Sequence, residues 1–320
     1  MNKPYVIGID LGGTNTEFGI VDRKGEILFR DSISTLGYTK GEEYVNSLGN
    51  AIIDLIADNG LKNKVNGIGM GVPNGNMNDG TVENAANIPW TKGALVPLAA
   101  MLTEKTGLPC KLTNDANAAA LGEMAYGVAK GMKDFIVITL GTGVGSGIVA
   151  NGQLVVGHDG FAGELGHVIA VREHGRACGC GRKGCLETYA SATGVVRTAM
   201  EYLELQPERD SLLRKIEKSR ITSKDVYEAA KAGDSLAIDV FNFTGKILGE
   251  AFCDFIAFSS PEAFILFGGL AKSGEFLTEP LKKAIDENVC FVYKGKTEIY
   301  ISKLNDAEAA ILGASALGWG

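Results

Sequence analysis

The sequence predicts an α/β protein of two related domains, and three observations carry that prediction. The chain has 320 residues and is 45% hydrophobic, enough to bury more than one core, so two domains are the better expectation. A strand, a glycine turn and a second strand occur twice. Residues 6–21 turn at Gly12-Gly13-Thr14, and residues 135–149 turn at Gly141-Thr142-Gly143. Around these hairpins, helical and buried-strand patterns alternate, as they do in α/β folds.

Each hairpin reads as apolar alternation between turn residues, followed by a further turn and strand: Asp22-Arg23-Lys24-Gly25 before Glu26-Ile27-Leu28, and Asn151-Gly152 before Gln153-Leu154-Val155. Each domain therefore opens with a meander. Residues 41–59 place Tyr44, Val45, Leu48, Ile52, Leu55 and Ile56 at helical spacing, and residues 115–128 do likewise. Residues 65–70, 110–113 and 264–267 read as short buried strands. Residues 235–258 repeat apolar side chains every three to four positions, with Gly245 and Gly249 permitting close backbone approach in a buried, aromatic-rich helix. No low-complexity linker marks the domain boundary.

Composition narrows the function classes. A formal net charge of -7 argues against a general nucleic-acid surface. Lys3-Pro4 leads straight into a strand with no signal-peptide core, and no apolar run approaches the ~20 residues of a membrane helix. A cytoplasmic location is expected, where Cys110, Cys253 and Cys290 stay reduced. A homodimer is the default for a soluble enzyme of this sort.

The chemistry-bearing residues cluster. All three histidines (His158, His167, His174) and three of six cysteines (Cys178, Cys180, Cys185) fall between positions 158 and 185. Three thiols on a glycine-rich loop plus one histidine match the Cys₃His set of a closed, structural Zn²⁺ site; a loop of reduced thiols is the alternative. The turns at 12–14 and 141–145 follow strands, as does the pair Gly268-Gly269, and such glycines let backbone N–H groups converge on phosphate. Asp10, at the end of its strand, is either a capping carboxylate or a partner of hydrated Mg²⁺. Asp115, where a strand meets a helix, could N-cap that helix or take a proton from a substrate hydroxyl. Glu164 and Glu187 flank the thiol loop and could hydrogen-bond a polyhydroxylated ligand.

Together these residues resemble the ROK family (repressor, open reading frame, kinase) of the actin-like and hexokinase-like superfamily, over nearly the whole chain. Asp10-Leu11-Gly12-Gly13-Thr14 is similar to its first phosphate motif, Leu140-Gly141-Thr142-Gly143-Val144-Gly145 to its second, and Phe267-Gly268-Gly269 to its adenosine-side glycines. Glu164-x-Gly166-His167 followed by Cys178-x-Cys180-Gly181-x-x-Gly184-Cys185 is similar to the family signature. The resemblance implies a two-domain, ribonuclease H-like ATPase fold with its active site in the interdomain cleft. Residues 1–115 and 305–320 would form one domain, to which the last helix, about residues 306–317, returns; residues 116–304 would form the other. It implies Asp115 as catalytic base; Asn87, Asn114, Glu164, His167 and Glu187 as sugar ligands; and zinc on His167, Cys178, Cys180 and Cys185. His167 would use one ring nitrogen for metal and the other for sugar. Asn15 stands where many relatives carry lysine, leaving more phosphate charge to Mg²⁺.

The implied reaction is transfer of the ATP γ-phosphoryl group to a hexose, first of all the 6-hydroxyl of glucose. N-acetylglucosamine, N-acetylmannosamine, mannose, fructose and allose are the alternative acceptors. The rivals from other classes are a sugar-responsive repressor, which would carry an added N-terminal helix-turn-helix, and an actin-like filament protein, which would not need the Glu164 and His167 constellation.

Overall fold

A computed structural model describes residues 3–85 and 87–319. The first meander is β1 (Tyr5–Leu11), β2 (Asn15–Asp22) and β3 (Ile27–Ser34), followed by α1 (Gly41–Asp58) and β4 (Val65–Gly71). A small antiparallel sheet of β5 (Gly75–Asn76), β6 (Thr81–Glu83) and β7 (Leu95–Val96) precedes α2 (Leu98–Thr106), β8 (Cys110–Thr113) and α3 (Asp115–Tyr126). The second meander is β9 (Phe135–Leu140), β10 (Val144–Ala150) and β11 (Gln153–Leu154). Then come α4 (Glu187–Ala190), α5 (Ala192–Leu205), α6 (Ser223–Lys231), α7 (Ser235–Ser259), β12 (Ala263–Phe267), α8 (Glu275–Asn288), β13 (Glu298–Ile301) and α9 (Asp306–Ser315).

The repeat read from sequence is a repeat of topology. One five-stranded sheet runs β3-β2-β1-β4-β8 and the other β11-β10-β9-β12-β13. In each, the meander is antiparallel and the two later strands join in parallel. The register aligns Asp10, Gly71 and Thr113 at the carboxyl ends of β1, β4 and β8, and Thr139 with Phe267 at those of β9 and β12. Carboxyl ends of parallel strands are where ligands bind in open α/β sheets.

Burial follows the periodicity. Tyr44, Val45, Leu48 and Ile52 of α1 are buried against Ile7, Ile9, Phe18 and Ile68. The long α7 buries Val240, Phe241, Leu248 and Phe252 over the second sheet, and Phe252 stacks on Phe264 of β12 at 4.0 Å between ring centroids. Gly245 and Gly249 lie against α8, as their spacing suggested.

Two helices join the sheets. The alanine-rich α3 packs on β9 and β10 and against α9, while α9 packs on β1 and β4. Both contacts depend on absent side chains: a Cβ on Gly69 of β4 would lie 1.9 Å from the Ala314 carbonyl, and one on Gly122 would lie 2.8 Å from Gly313 Cα. The last helix thus returns to the first sheet, ending at Ser315 and continuing as a 3₁₀ turn over Ala316–Trp319. No helix among the described residues is long and apolar enough to cross a membrane.

Capping differs from one alternative in the sequence reading. Asn114, not Asp115, is the N-cap of α3: its side chain accepts from the Asn117 N–H at 2.7 Å. Both residue types cap well, and β8, paired through Thr113 with Gly71, leaves Asn114 as the extended residue before the first helical turn. Asp115 occupies that first turn, and one of its oxygens accepts from Ala116 N at 2.9 Å.

Candidate active site

A cleft of about 550 Å³ collects Asp10, Asp115, Glu164, His167 and Glu187 with the turn at residues 141–145, Phe267 and Gly268. Thr139, Ala119, and Ala309 and Ala310 of α9 line its wall; these four were missed in the sequence, the last two because only the return of α9 brings them there. A larger depression, about 610 Å³, beside β13 contains lysines but no carboxylate or imidazole.

Other sequence candidates stand outside this lining. Residues 12–15 are held by Gly12 N to Asn15 O at 3.1 Å and Thr35 N to Thr14 O at 2.8 Å. A separate surface cavity of about 470 Å³ holds Asn87, with Asn84, Ile88 and Lys92. Asn87 has a left-handed backbone (φ 63) and abuts the first turn, since a Cβ on Gly13 would lie 2.7 Å from Asn87 Cβ. Trp90 fixes that segment by stacking on Tyr44 at 4.5 Å and donating from its indole to Thr35 O. Asn114 engages its amide oxygen in the cap of α3, and Gly269 lies in a neighbouring cavity with Tyr227.

Electrostatics distinguish the carboxylates. Burial, then the charges of Asp115 and Glu17, push Asp10 up to about 6 from an ordinary 3.8. Burial likewise raises Glu164, with His167 opposing and Asp115 and Glu187 adding to the rise. A cavity that concentrates so much negative charge suits a ligand bearing cations or hydroxyl donors.

Glu187 opens α4 and spans two features: one oxygen accepts from Val144 N at 3.1 Å, while the other lies 3.7 Å from Cys178 Sγ. The absent Cβ of Gly143 makes room, as it would sit 2.2 Å from that carboxylate. Helix α5 supports the same turn, Ala192 N donating to Gly141 O and the Thr193 hydroxyl to Thr142 O, each at 2.9 Å.

The ligand atoms of His167, Cys178, Cys180 and Cys185 all lie within 4.8 Å of one another; His158 and His174 are not in this group. Cys178 Sγ to His167 Nδ1 is 3.7 Å and Cys180 Sγ to Cys185 Sγ is 3.6 Å. A tetrahedron with Zn–S near ~2.3 Å has edges of about 3.7 Å, so donor type and spacing both fit zinc. Burial raises Cys178, whereas the Arg182 backbone N–H holds Cys180 below the usual thiol range. Nδ1 of His167 addresses the thiols, and Nε2 lies 4.0 Å from Glu164.

Arg176 braces the loop. Nε and Nη2 bind the two oxygens of Glu201, Nη1 donates to Thr188 O and Gly194 O, and Nη2 also reaches Thr198 Oγ1. Its guanidinium carbon lies 4.5 Å from the Tyr189 ring centroid. Sequence reading passed over this arginine, because its partners become neighbours only when α4 and α5 fold over the loop.

Duplicated sheets, each opening with a meander, and a glycine-turned acidic cleft between them define the actin-like and hexokinase-like class. The ROK family model matches residues 6–319. A glucokinase of Halalkalibacterium halodurans is 36% identical over 321 aligned positions, covering 100% of this chain and 95% of that protein. The structure of a ROK family glucokinase from Streptomyces griseus, in complex with glucose and AMPPNP, superposes with a TM-score of 0.76 at 34% identity and 98% coverage of both chains. A xylose repressor of Caldicellulosiruptor bescii is 30% identical over 98% of this chain and 77% of the repressor. The chain belongs to the ROK family.

Proposed function

We propose that the chain is an ATP-dependent glucokinase, forming glucose 6-phosphate. The observation that carries this reading is the position of Asp115 at the start of α3, in one cavity with the second glycine turn, Asp10, Glu164 and His167. Asp115 accepts the proton of the 6-hydroxyl as that oxygen attacks the γ-phosphorus. Glu164, the Nε2 side of His167 and Glu187 hold the remaining hydroxyls, joined by Asn87 and Asn114 as the cleft narrows between residues 1–115 with 305–320 and residues 116–304.

The turns at residues 12–15 and 141–143 supply N–H donors to the phosphates, other than those of Gly12 and Gly141, which are bonded within the turns, with Gly268 and Gly269 on the adenosine side. Mg²⁺, when bound with ATP, neutralises phosphate charge, and Asp10 is the residue that would hold its water shell. His167, Cys178, Cys180 and Cys185 would hold one structural zinc, which would fix the loop and the ring of His167. A cytoplasmic homodimer without nucleic-acid function is the accompanying reading.

ADP release with glucose, mannose, allose, fructose, N-acetylglucosamine and N-acetylmannosamine tests the proposal. Glucose should give the highest kcat/KM. A higher value for N-acetylmannosamine or fructose would overturn the acceptor, and no sugar-dependent ADP release would overturn the kinase reading in favour of a regulator.

A further inference from the structure

The turn from β5 to β6, Asn76-Met77-Asn78-Asp79-Gly80, reaches from the first half of the chain onto a segment of the second. Asn76 Nδ2 donates to Asp159 O at 2.9 Å, and Asn78 Nδ2 donates to His158 O at 3.1 Å and Gly157 O at 3.3 Å. The donors are pre-aimed, because Asn78 N donates to Asn76 Oδ1 at 2.9 Å and Gly80 N closes the turn on Asn76 O at 2.9 Å. The acceptor segment is shaped to match: Gly160 has φ +87, and a Cβ there would lie 2.1 Å from Asn76 Oδ1.

Residues 157–160 lead directly to Glu164 and His167. The stretch between is tethered to β10, where Leu165 N donates to Ser146 Oγ at 3.2 Å and the Ser146 hydroxyl donates to Gly163 O. The segment thus hangs between two supports, β10 of the second sheet and two asparagine amides attached to the first. The amide contacts are neutral and at the protein surface, where water can replace them, so each contributes modestly.

We propose that Asn76 and Asn78 are positioning residues for the sugar ligands: they hold residues 157–160 from the first half of the chain, and so set the placement of Glu164 and His167. This rests on the kinase reading for its sugar-binding half. Asn76→Asp/Asn78→Asp keeps the side-chain shape but replaces each N–H donor by an acceptor facing a carbonyl. The KM for glucose should rise about five- to fiftyfold, the loss expected for a few neutral hydrogen bonds, with kcat reduced less than about threefold and the KM for ATP changed less than about twofold.

Hydrogen exchange of the Phe161 and Ala162 amides in the sugar-free protein provides a readout independent of activity. These amides should exchange faster in the double variant than in the wild type, and Asn76→Ala/Asn78→Ala should behave alike without added charge. Unchanged exchange with unchanged KM overturns the proposal, as does a fall in kcat equal to that in kcat/KM. If the wild type phosphorylates no sugar, the kinase reading fails, while the exchange comparison still decides whether the asparagines hold the segment.

Discussion

Replacing Asp10 by asparagine should make the ligand-free protein more stable and inactive at once. In the folded chain, burial and the charges of Asp115 and Glu17 move this carboxyl from 3.8 to about 6. At about 1.4 kcal/mol per pKa unit, ionised Asp10 then costs roughly 2–3 kcal/mol of folding stability at pH 8. The sign follows from proton uptake: the folded state binds the proton more tightly, so the carboxyl favours folding fully below about pH 4. That contribution is lost as pH rises through about 6.

Asp10→Asn cannot ionise, so its advantage over wild type should be near zero at pH 4. It should grow between pH 4 and 6 and level off above about pH 7, at roughly 2–3 kcal/mol, or about 3–5 °C in Tm. Urea unfolding across that pH series would measure it. A constant stability difference at every pH, or a destabilised variant at pH 8, would refute the reasoning. Turnover should fall at least about a hundredfold if Asp10 holds hydrated Mg²⁺ beside the phosphates.

Asp115→Asn should cut turnover by roughly 10² to 10⁴ with little change in Tm, since the cap of α3 belongs to Asn114; near-normal turnover in the folded variant would eliminate Asp115 as the base. Elemental analysis should find one zinc per chain, and Cys180→Ser should lose it along with glucose affinity, whereas replacing His158 or His174 should spare it. Gly143→Ala places a methyl 2.2 Å from a Glu187 oxygen and should raise the KM for glucose at least about tenfold, measured beside an unchanged zinc content; an unaltered KM would separate Glu187 from sugar binding.

Much of this molecule was legible because its signals are local. The two hairpins, the face of α1 and the aromatic-rich α7 follow from periodicity and turn residues alone. Other elements were silent: β5 is two residues long and β6 three, too short for alternation to emerge, and β13 is a mostly exposed edge strand without a buried apolar run. The cap at Asn114 could not be separated from Asp115 by residue type. At the site, the Cys₃His cluster was readable because its thiols fall within eight positions, whereas the wall formed by Ala309 and Ala310 depends on a helix returning across most of the chain. Asn76 and Asn78 lack a motif altogether, and their partners are neighbours only through the meeting of separate sheets.

The doubled sheet has an asymmetry at its equivalent positions. Thr139 of β9 stands where Asp10 stands in β1, each just before the leucine that precedes a glycine turn. The threonine hydroxyl is spent inside its own hairpin, accepting from Gly145 N at 3.1 Å, whereas Asp10 keeps a charge that burial and its acidic neighbours make expensive. Duplication alone would have produced a cleft with interchangeable ends. One carboxylate at only one of the two equivalent positions gives it a head and a tail; on the proposed reading, a phosphate chain with its cation would lie across the two turns in a single direction, and the end offered to Asp115 would be decided before the sugar arrives.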